Sequence, residues 1–320
     1  MARITIVGLG LVGGSIGLGL HQAELKNLEV VGHDIDHGAA RLARKLGAVD
    51  KTEWNLISAC EGADLIIIAT PVLAIKEIFT ATAPYLKEGC VLSDTAGSKE
   101  QVLKWAAEIL PDTVSFIGGD PMVGGDRVGL AEASADIFKG AVYCLTPLPT
   151  AKPQAVKLMT DLVTTLGATP YFLDAAEHDG LVAAVDHLPF ALSAVLLSMV
   201  EGSSSRRELR KLAGPTFGTA THFSSVDPLI FRDLCLTNQE SMLRWLDACQ
   251  ESLQVLRAAI AGGDSGELEA LFTQALTARQ SWLEGAREEV DELVSQSLRR
   301  PQLLGLGDLF GFRGGRRGED

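Results

Sequence analysis

The sequence has no paired-cysteine motif: its five cysteines, Cys60, Cys90, Cys144, Cys235 and Cys249, form no CxxC. An odd, scattered set in mostly apolar stretches excludes a disulfide frame and reads as reduced thiols of a cytoplasmic protein. The six histidines are dispersed and HExxH spacing is absent, so no metal site is expected. Positive charge is scarce. Against 41 acidic residues stand 28 Lys and Arg, a net charge of −13, which excludes a broad surface for nucleic acid or an anionic membrane. The exception, Arg313, Arg316 and Arg317 among the glycines of the tail, reads as a solvated end. No apolar run is expected to span a membrane, since the richest, 181–200, contains Asp186, His187 and Pro189. A leader peptide is not expected either, because residues 3–7 already read as the first strand of a fold.

What is present is a chain of 320 residues, 47% hydrophobic, long enough for two domains with their own cores. In the first half, short apolar runs alternate with helical patterns. Strands are expected at 4–7, 30–34, 63–69, 90–94, 114–118, 141–145 and 169–173, with helices between them. The run ADLIIIA at 63–69 is the kind buried on both faces of a sheet. Such alternation predicts an α/β fold, a doubly wound, mostly parallel sheet with helices on both faces. From about 176 the pattern is helical: 232–261, 266–283 and 284–298 carry apolar residues at three- and four-residue spacing. The expected division is a dinucleotide-binding domain over 1–174, an all-helical domain over 175–300, and a loosely ordered tail over 301–320.

The sharpest motif is Gly8-Leu9-Gly10-Leu11-Val12-Gly13. It follows a strand, opens a helix, and is answered by Asp34 at the end of the next strand, 21 residues after Gly13. Gly8 permits the tight turn, Gly10 lets backbone approach a pyrophosphate, and Gly13 lets helix and strand pack closely. The helix N-terminus then faces the phosphates. Asp34 can accept hydrogen bonds from the adenosine ribose and would repel a 2′-phosphate, and no Arg or Lys follows it nearby, so NAD is expected over NADP. Ala69-Thr70-Pro71 would line the same cleft, because ligands of such sheets bind outside the carboxyl ends of the strands.

Later strand ends offer further candidates. Lys99, after Asp94-Thr95-Ala96-Gly97-Ser98, is either a substrate anchor or an early-helix surface charge. Asp120 lies in what reads as a Gly-rich turn before Pro121, either a turn former or a site residue. His178-Asp179 and Asp186-His187 stand nine residues apart on one expected helix, which points them to different faces, so that only one pair would meet the cleft. His187 precedes Leu188-Pro189, where the helix must kink and free a carbonyl; His178 reads as a helix-start residue.

Together these motifs carry a family resemblance. GLGLVGGSIGLGL at 8–20, ATP at 69–71, the turn from Asp94 to Lys99, GGxPMxG at 118–124 and the run from His178 to Pro189 resemble the prephenate/arogenate dehydrogenases of tyrosine biosynthesis. The resemblance covers the chain to about 298. It implies a Rossmann domain, a helical domain through which two chains dimerise, and NAD as cofactor. It also implies oxidative decarboxylation of a cyclohexadienyl acid, prephenate or arogenate, by hydride transfer from ring C4 with aromatisation. Carried over residue by residue, it assigns catalytic roles to Asp120, His187 and Ser98, and substrate contacts to Lys99, Asp186, Gly218 and His222. Cofactor contacts fall to Gly8, Leu9, Gly10, Leu11, Val12, Gly13, Asp34, Thr70 and Pro71.

The departures are as informative. Asp120 stands where the family has the histidine that helps remove the C4 hydroxyl proton, and Gly218 where it has an arginine for a substrate carboxylate. Gly97 replaces a serine (Ser98 is adjacent), Asp186 replaces the serine before HLP, and Phe190 a histidine after it. A carboxylate at 120 suits an ammonium partner, which raises 4-amino-4-deoxyprephenate as an alternative substrate. The missing arginine and histidine also admit a non-catalytic NAD-binding paralogue.

Overall fold

The computed structural model describes residues 1–298 other than 124, 126 and 226; the expected tail, 301–320, lies outside them. Eight strands form one sheet: β1 (Ala2–Val7), β2 (Leu28–His33), β3 (Lys51–Thr52), β4 (Leu65–Ile68), β5 (Val91–Asp94), β6 (Ser115–Pro121), β7 (Val142–Pro147) and β8 (Thr169–Phe172), in the order β3-β2-β1-β4-β5-β6-β7-β8. All pairings are parallel except β6 with β7. Helices α1 (Leu11–Gln22), α2 (His37–Lys45), α3 (Leu56–Cys60), α4 (Val72–Thr82), α5 (Glu100–Ile109) and α6 (Pro153–Thr165) alternate with the strands.

The two faces bury separate cores. Ile4, Ile6, Leu65 and Ile67 point to the side of Ile16, Leu20, Leu158 and Leu162, while Val7, Ile66, Ile68 and Leu92 point to the side of Phe79, Val102 and Phe116. The period of two in β1 and β4 divides each strand between the cores. Every residue of β4 is buried, as its unbroken apolar run requires. Burial of each such side chain stabilises by about 1.5–3 kcal/mol, which makes β4 the hydrophobic centre of the sheet.

Beyond the sheet come α7 (Ala175–Val182), a π-helical turn at Ala183–His187, α8 (Leu188–Glu201), α9 (Arg206–Leu212), α10 (Pro215–Ala220), α11 (Pro228–Thr237), α12 (Gln239–Gly262) and α13 (Ser265–Leu298). Two compact units result, one over Met1–Gln239 and one beginning at Glu240. Helices α7 to α11 therefore pack in the same unit as the sheet. The helix expected over 232–261 is broken at Asn238, whose φ of −126° and ψ of 44° end α11. The helices expected separately at 266–283 and 284–298 are one helix, α13.

Three further expectations are corrected. The Gly118-Gly119-Asp120-Pro121 segment is not a turn but the end of β6, with Asp120 opposite Cys144 in the antiparallel ladder. The kink expected at Pro189 is replaced by the π turn just before it. Pro189 thereby sits in the first turn of α8, where its missing N–H is harmless. The helical run Ala175–Glu201, 27 residues with a mean hydropathy of 1.8 in its most apolar window, is long and apolar enough by length and composition to cross a membrane. In this fold it carries buried His178 and His187 against the sheet domain.

Candidate active site

A cleft of about 520 Å³ opens at the carboxyl ends of the strands, walled by the starts of α1 and α4, the loops after β5 and β6, and residues of α8 and α11. Its cofactor end is built by Gly8 to Gly13. Gly8 has φ +92°, and a Cβ there would lie 2.3 Å from the Ala69 carbonyl oxygen; a Cβ on Gly13 would lie 2.0 Å from the Gly8 oxygen. These two glycines close the turn against its neighbours. Gly10 differs, because a Cβ there would meet nothing within 4 Å. The open space lies at the N-terminus of α1, which has neither a side-chain cap nor an acid in its first turn. Its first N–H groups are free to receive an anion.

Leu11 and Val12 line the same end of the cleft, as do Thr70 and Pro71. The buried hydroxyl of Thr70 has no hydrogen-bond partner. Asp34, just past β2, accepts from the Leu9 N–H (2.7 Å) and the Asp36 N–H (2.8 Å), which fixes its carboxylate beside the glycine turn. An open glycine cradle, an uncapped helix start and a fixed carboxylate fit a dinucleotide without a 2′-phosphate.

At the other end, Asp120 is 8% exposed and forms part of the cleft wall. Its Oδ2 accepts a hydrogen bond from Nε2 of His178 at 3.1 Å. His178 lies on α7 and is fully buried; its Nδ1 donates to Asp179 Oδ1 at 2.9 Å. Burial alone would lower the pKa of this ring, but the bonds to Asp120 and Asp179 outweigh it, and the value is pushed up to about 11. His178 was not among the residues expected in the site. The signal available was its HD pair, which the reading of a helix start set aside.

His187, the last residue of the π turn, is also buried, and neither of its ring nitrogens has a hydrogen-bond partner among the described residues. Burial lowers its pKa more than the Asp186 and Asp120 carboxylates raise it, so the ring is neutral near pH 7. Asp186 is exposed and belongs to the cleft wall, its Oδ2 lying 3.8 Å from His187 Nε2. The sequence placed the two histidines on different faces with one pair at the cleft. Both rings are instead buried within electrostatic reach of Asp120, with the π turn between them.

Two expected contacts lie behind the cleft wall. Ser98, read as catalytic, is fully buried, its hydroxyl 2.8 Å from that of Thr237. Lys99, read as a substrate anchor, is 0% exposed; its ammonium is bonded to Asp94 and, at 2.6 Å, to the Gly119 carbonyl. A buried ammonium needs such a partner, and Asp94 provides it at the end of β5. Gly218 is exposed on α10, and His222 lies on the short 3-10 turn His222–Ser225, edge-on to Phe223, which does line the cleft. Arg127 contributes the basic side chain of the wall among the described residues; sequence reasoning passed over it.

The description "Prephenate dehydrogenase, nucleotide-binding domain" matches residues 18–171, and "Prephenate dehydrogenase, dimerization domain" matches residues 174–274. The chain is similar to prephenate dehydrogenase of Lactococcus lactis subsp. cremoris, 30% identical over 284 residues, 88% of this chain and 77% of that protein. It is 29% identical over 279 residues to cyclohexadienyl dehydrogenase of Zymomonas mobilis, 87% of this chain and 94% of that protein. Among solved structures, arogenate dehydrogenase of Synechocystis aligns with a TM-score of 0.73 at 26% identity, covering 88% of this chain and 99% of that one. The fold is also that of prephenate dehydrogenase from A. aeolicus in complex with hydroxyphenyl propionate and NAD+, with a TM-score of 0.81 at 24% identity over 88% and 98% of the chains.

Proposed function

The chain belongs to the prephenate dehydrogenase family, and from that premise we propose that it oxidatively decarboxylates a prephenate-like cyclohexadienyl acid, prephenate or arogenate. It is an NAD-dependent oxidoreductase. The observation that carries the reading is one cleft lined by both the open glycine cradle at Gly10 and Asp120, with His187 buried behind the Gly97 wall.

Bound NAD supplies the hydride acceptor. The chain's own residues do the rest. The N-terminus of α1 and Gly10 hold the diphosphate, Asp34 takes the adenosine ribose, and Thr70 offers its unpartnered hydroxyl to the inner part of the cofactor. Asp120 accepts a hydrogen bond from the C4 substituent. Asp186 borders the ring acid from the cleft wall, neutral His187 stands behind Gly97, and Gly218 and His222, outside the lining, are assigned to the remainder of the substrate by the family resemblance alone. Phe190 and Phe231, which stack on each other in the wall, exclude water from the ring. The family's dimerization domain supports a homodimer, and the buried, unpaired Cys60, Cys90 and Cys144 support a cytoplasmic setting.

A second reading concerns the C4 group. A carboxylate backed by a charged imidazole is a poor match for a hydroxyl proton and a good one for an ammonium. It favours 4-amino-4-deoxyprephenate. The test is absorbance growth at 340 nm with NAD and, in turn, prephenate, arogenate and the 4-amino compound. Growth with the hydroxy acids supports the first reading, and a faster rate with the amino acid supports the second. No growth with any of the three rejects both and leaves a non-catalytic NAD-binding protein. Asp120→His is expected to raise turnover of prephenate.

A further inference from the structure

One buried group stands directly behind the residue that would meet the substrate. Asp179 is pinned from three directions: its Oδ1 accepts from the Lys99 N–H (2.7 Å), its Oδ2 from the Glu100 N–H (3.0 Å), and its carbonyl from Asn238 Nδ2 (2.7 Å). It caps α5 from a different helix, since α5 has no side-chain cap of its own. Asp179 then holds Nδ1 of His178, and Nε2 of His178 holds Asp120. The chain of contacts runs from a helix terminus to the cleft without a mobile link.

The geometry limits the protonation of the ring. Both nitrogens face carboxylate oxygens, at 2.9 and 3.1 Å. A neutral imidazole has one N–H and would turn a lone pair toward one of them. Cys144 on β7 also bonds the ring, and the neutral His187 lies beyond the π turn; neither is a cation.

We infer that His178, clamped between Asp179 and Asp120, is the positioning residue that orients the Asp120 carboxylate at the cleft wall and so selects a ring with an ammonium group at C4. This rests on the second reading above, the C4-amino acid, and sharpens it. The Oδ1 atom of Asp120 accepts no hydrogen bond from the described residues and is the atom offered to the substrate. With an ammonium substrate, bound NAD would accept the hydride that leaves as the C4–H bond breaks. The bond from C1 to its carboxylate breaks and its pair enters the ring, and one N–H proton passes to Asp120. The products are an aminoaryl acid, carbon dioxide, NADH and one proton. A hydroxy substrate keeps its proton as the phenol, so it needs no group that ends the turnover protonated.

Two measurements test this. The first is nitrogen-15 NMR of the histidine rings at pH 8 in the full-length protein, with His178 assigned through Asp120→Asn and His178→Gln. Two protonated ring nitrogens at His178 are expected; one protonated nitrogen overturns the inference. The second compares wild type with His178→Gln on the 4-amino and 4-hydroxy acids, with NAD affinity followed by protein fluorescence. The expected result is a loss of at least 30-fold in kcat/KM for the amino acid, a smaller loss for the hydroxy acid, and an NAD Kd within twofold. Equal losses on both substrates overturn the selectivity. Should His178→Gln fail to fold, Asp120→Asn serves the same comparison. If wild type turns over none of the acids, the functional reading fails, and with it the selectivity; the NMR result still decides the positioning.

Discussion

Nε2 of His187 lies 3.4 Å from the point where a side chain at Gly97 would begin. The ring nitrogen is buried and unpartnered, and Gly97 is part of the cleft wall. A hydroxyl placed at 97 would therefore supply the missing partner, against a tight contact of 3.2 Å with Leu234 Cδ2, the end of a flexible side chain. Satisfying a buried nitrogen is worth about 1 kcal/mol. Gly97→Ser is expected to leave the melting temperature unchanged or slightly raised, and to change kcat/KM for the ring acid while NAD affinity stays within twofold. Gly97→Ala, with the same Cβ and no hydroxyl, is expected to lose stability. If the alanine variant melts at or above the serine one, the hydroxyl has found no partner at His187.

His178 gives stability a pH signature. Its folded pKa, about 11, exceeds the unfolded value of about 6.5. The native state thus binds more protons above pH 6.5, so this stabilisation is complete below about 6.5 and is lost as pH rises through about 11. His187 has the opposite sign: its folded pKa is lowered by burial, so stability falls as pH drops below about 6.5. Melting temperatures from pH 6 to 10.5 are expected to decline steadily in wild type and to decline less in Asp120→Asn, which removes the foremost of the three bonds, to Asp120, Asp179 and Cys144, that raise the pKa. Parallel curves for the two proteins would rule out the assignment.

The sequence made the cofactor half legible because its signals are local. The glycine spacing, the strand before it and Asp34 all fall within one β-α-β unit, and the structure sets Asp34 against the Leu9 N–H of the glycine turn. The substrate half depends on contacts distant in sequence. Asp120 reads as a turn residue because Gly-Gly-Asp-Pro is turn chemistry, yet antiparallel pairing with Cys144 and its neighbours overrides that preference. Lys99 reads equally as a substrate anchor or a surface charge because nothing in its own helix announces burial; its partner, Asp94, is on the preceding strand. His178 meets a carboxylate 58 residues away, and the π turn that carries His187 into the core has no periodic signature.

Cofactor choice follows from the surroundings of Asp34. Both carboxylate oxygens are engaged by backbone N–H groups, and the next side chain, Ile35, is 92% exposed. An arginine at 35 thus has room without disturbing a core. Asp34→Ser with Ile35→Arg is expected to shift the ratio of kcat/KM for NADP over NAD upward by at least ~10-fold, roughly 1.4 kcal/mol. The melting temperature should fall by a few degrees as the Leu9 N–H loses its acceptor. An unchanged cofactor ratio would show that the ribose lies away from Asp34.

Arg127 faces a cleft whose other charged wall residues, among those described, are Asp120, Asp186 and Asp227. The ring acid carries carboxylate, and the position expected to meet it, Gly218, has no side chain and sits on exposed α10. Arg127 lies two residues before Gly129, and Leu130 packs against Gly14 of α1, so its loop borders both the cofactor end and the substrate end. A guanidinium that pairs a substrate carboxylate in a half-buried cleft is worth about 1.5–3 kcal/mol. Arg127→Ala is therefore expected to raise KM for the ring acid about 10-fold or more, with kcat less affected and the NAD Kd within twofold. Arg127→Lys is expected to recover part of that loss, since charge is retained but the two-pronged geometry is not. If instead the NAD Kd rises about 10-fold while KM for the acid holds, the arginine serves the cofactor diphosphate, and the substrate carboxylate must find its cation elsewhere.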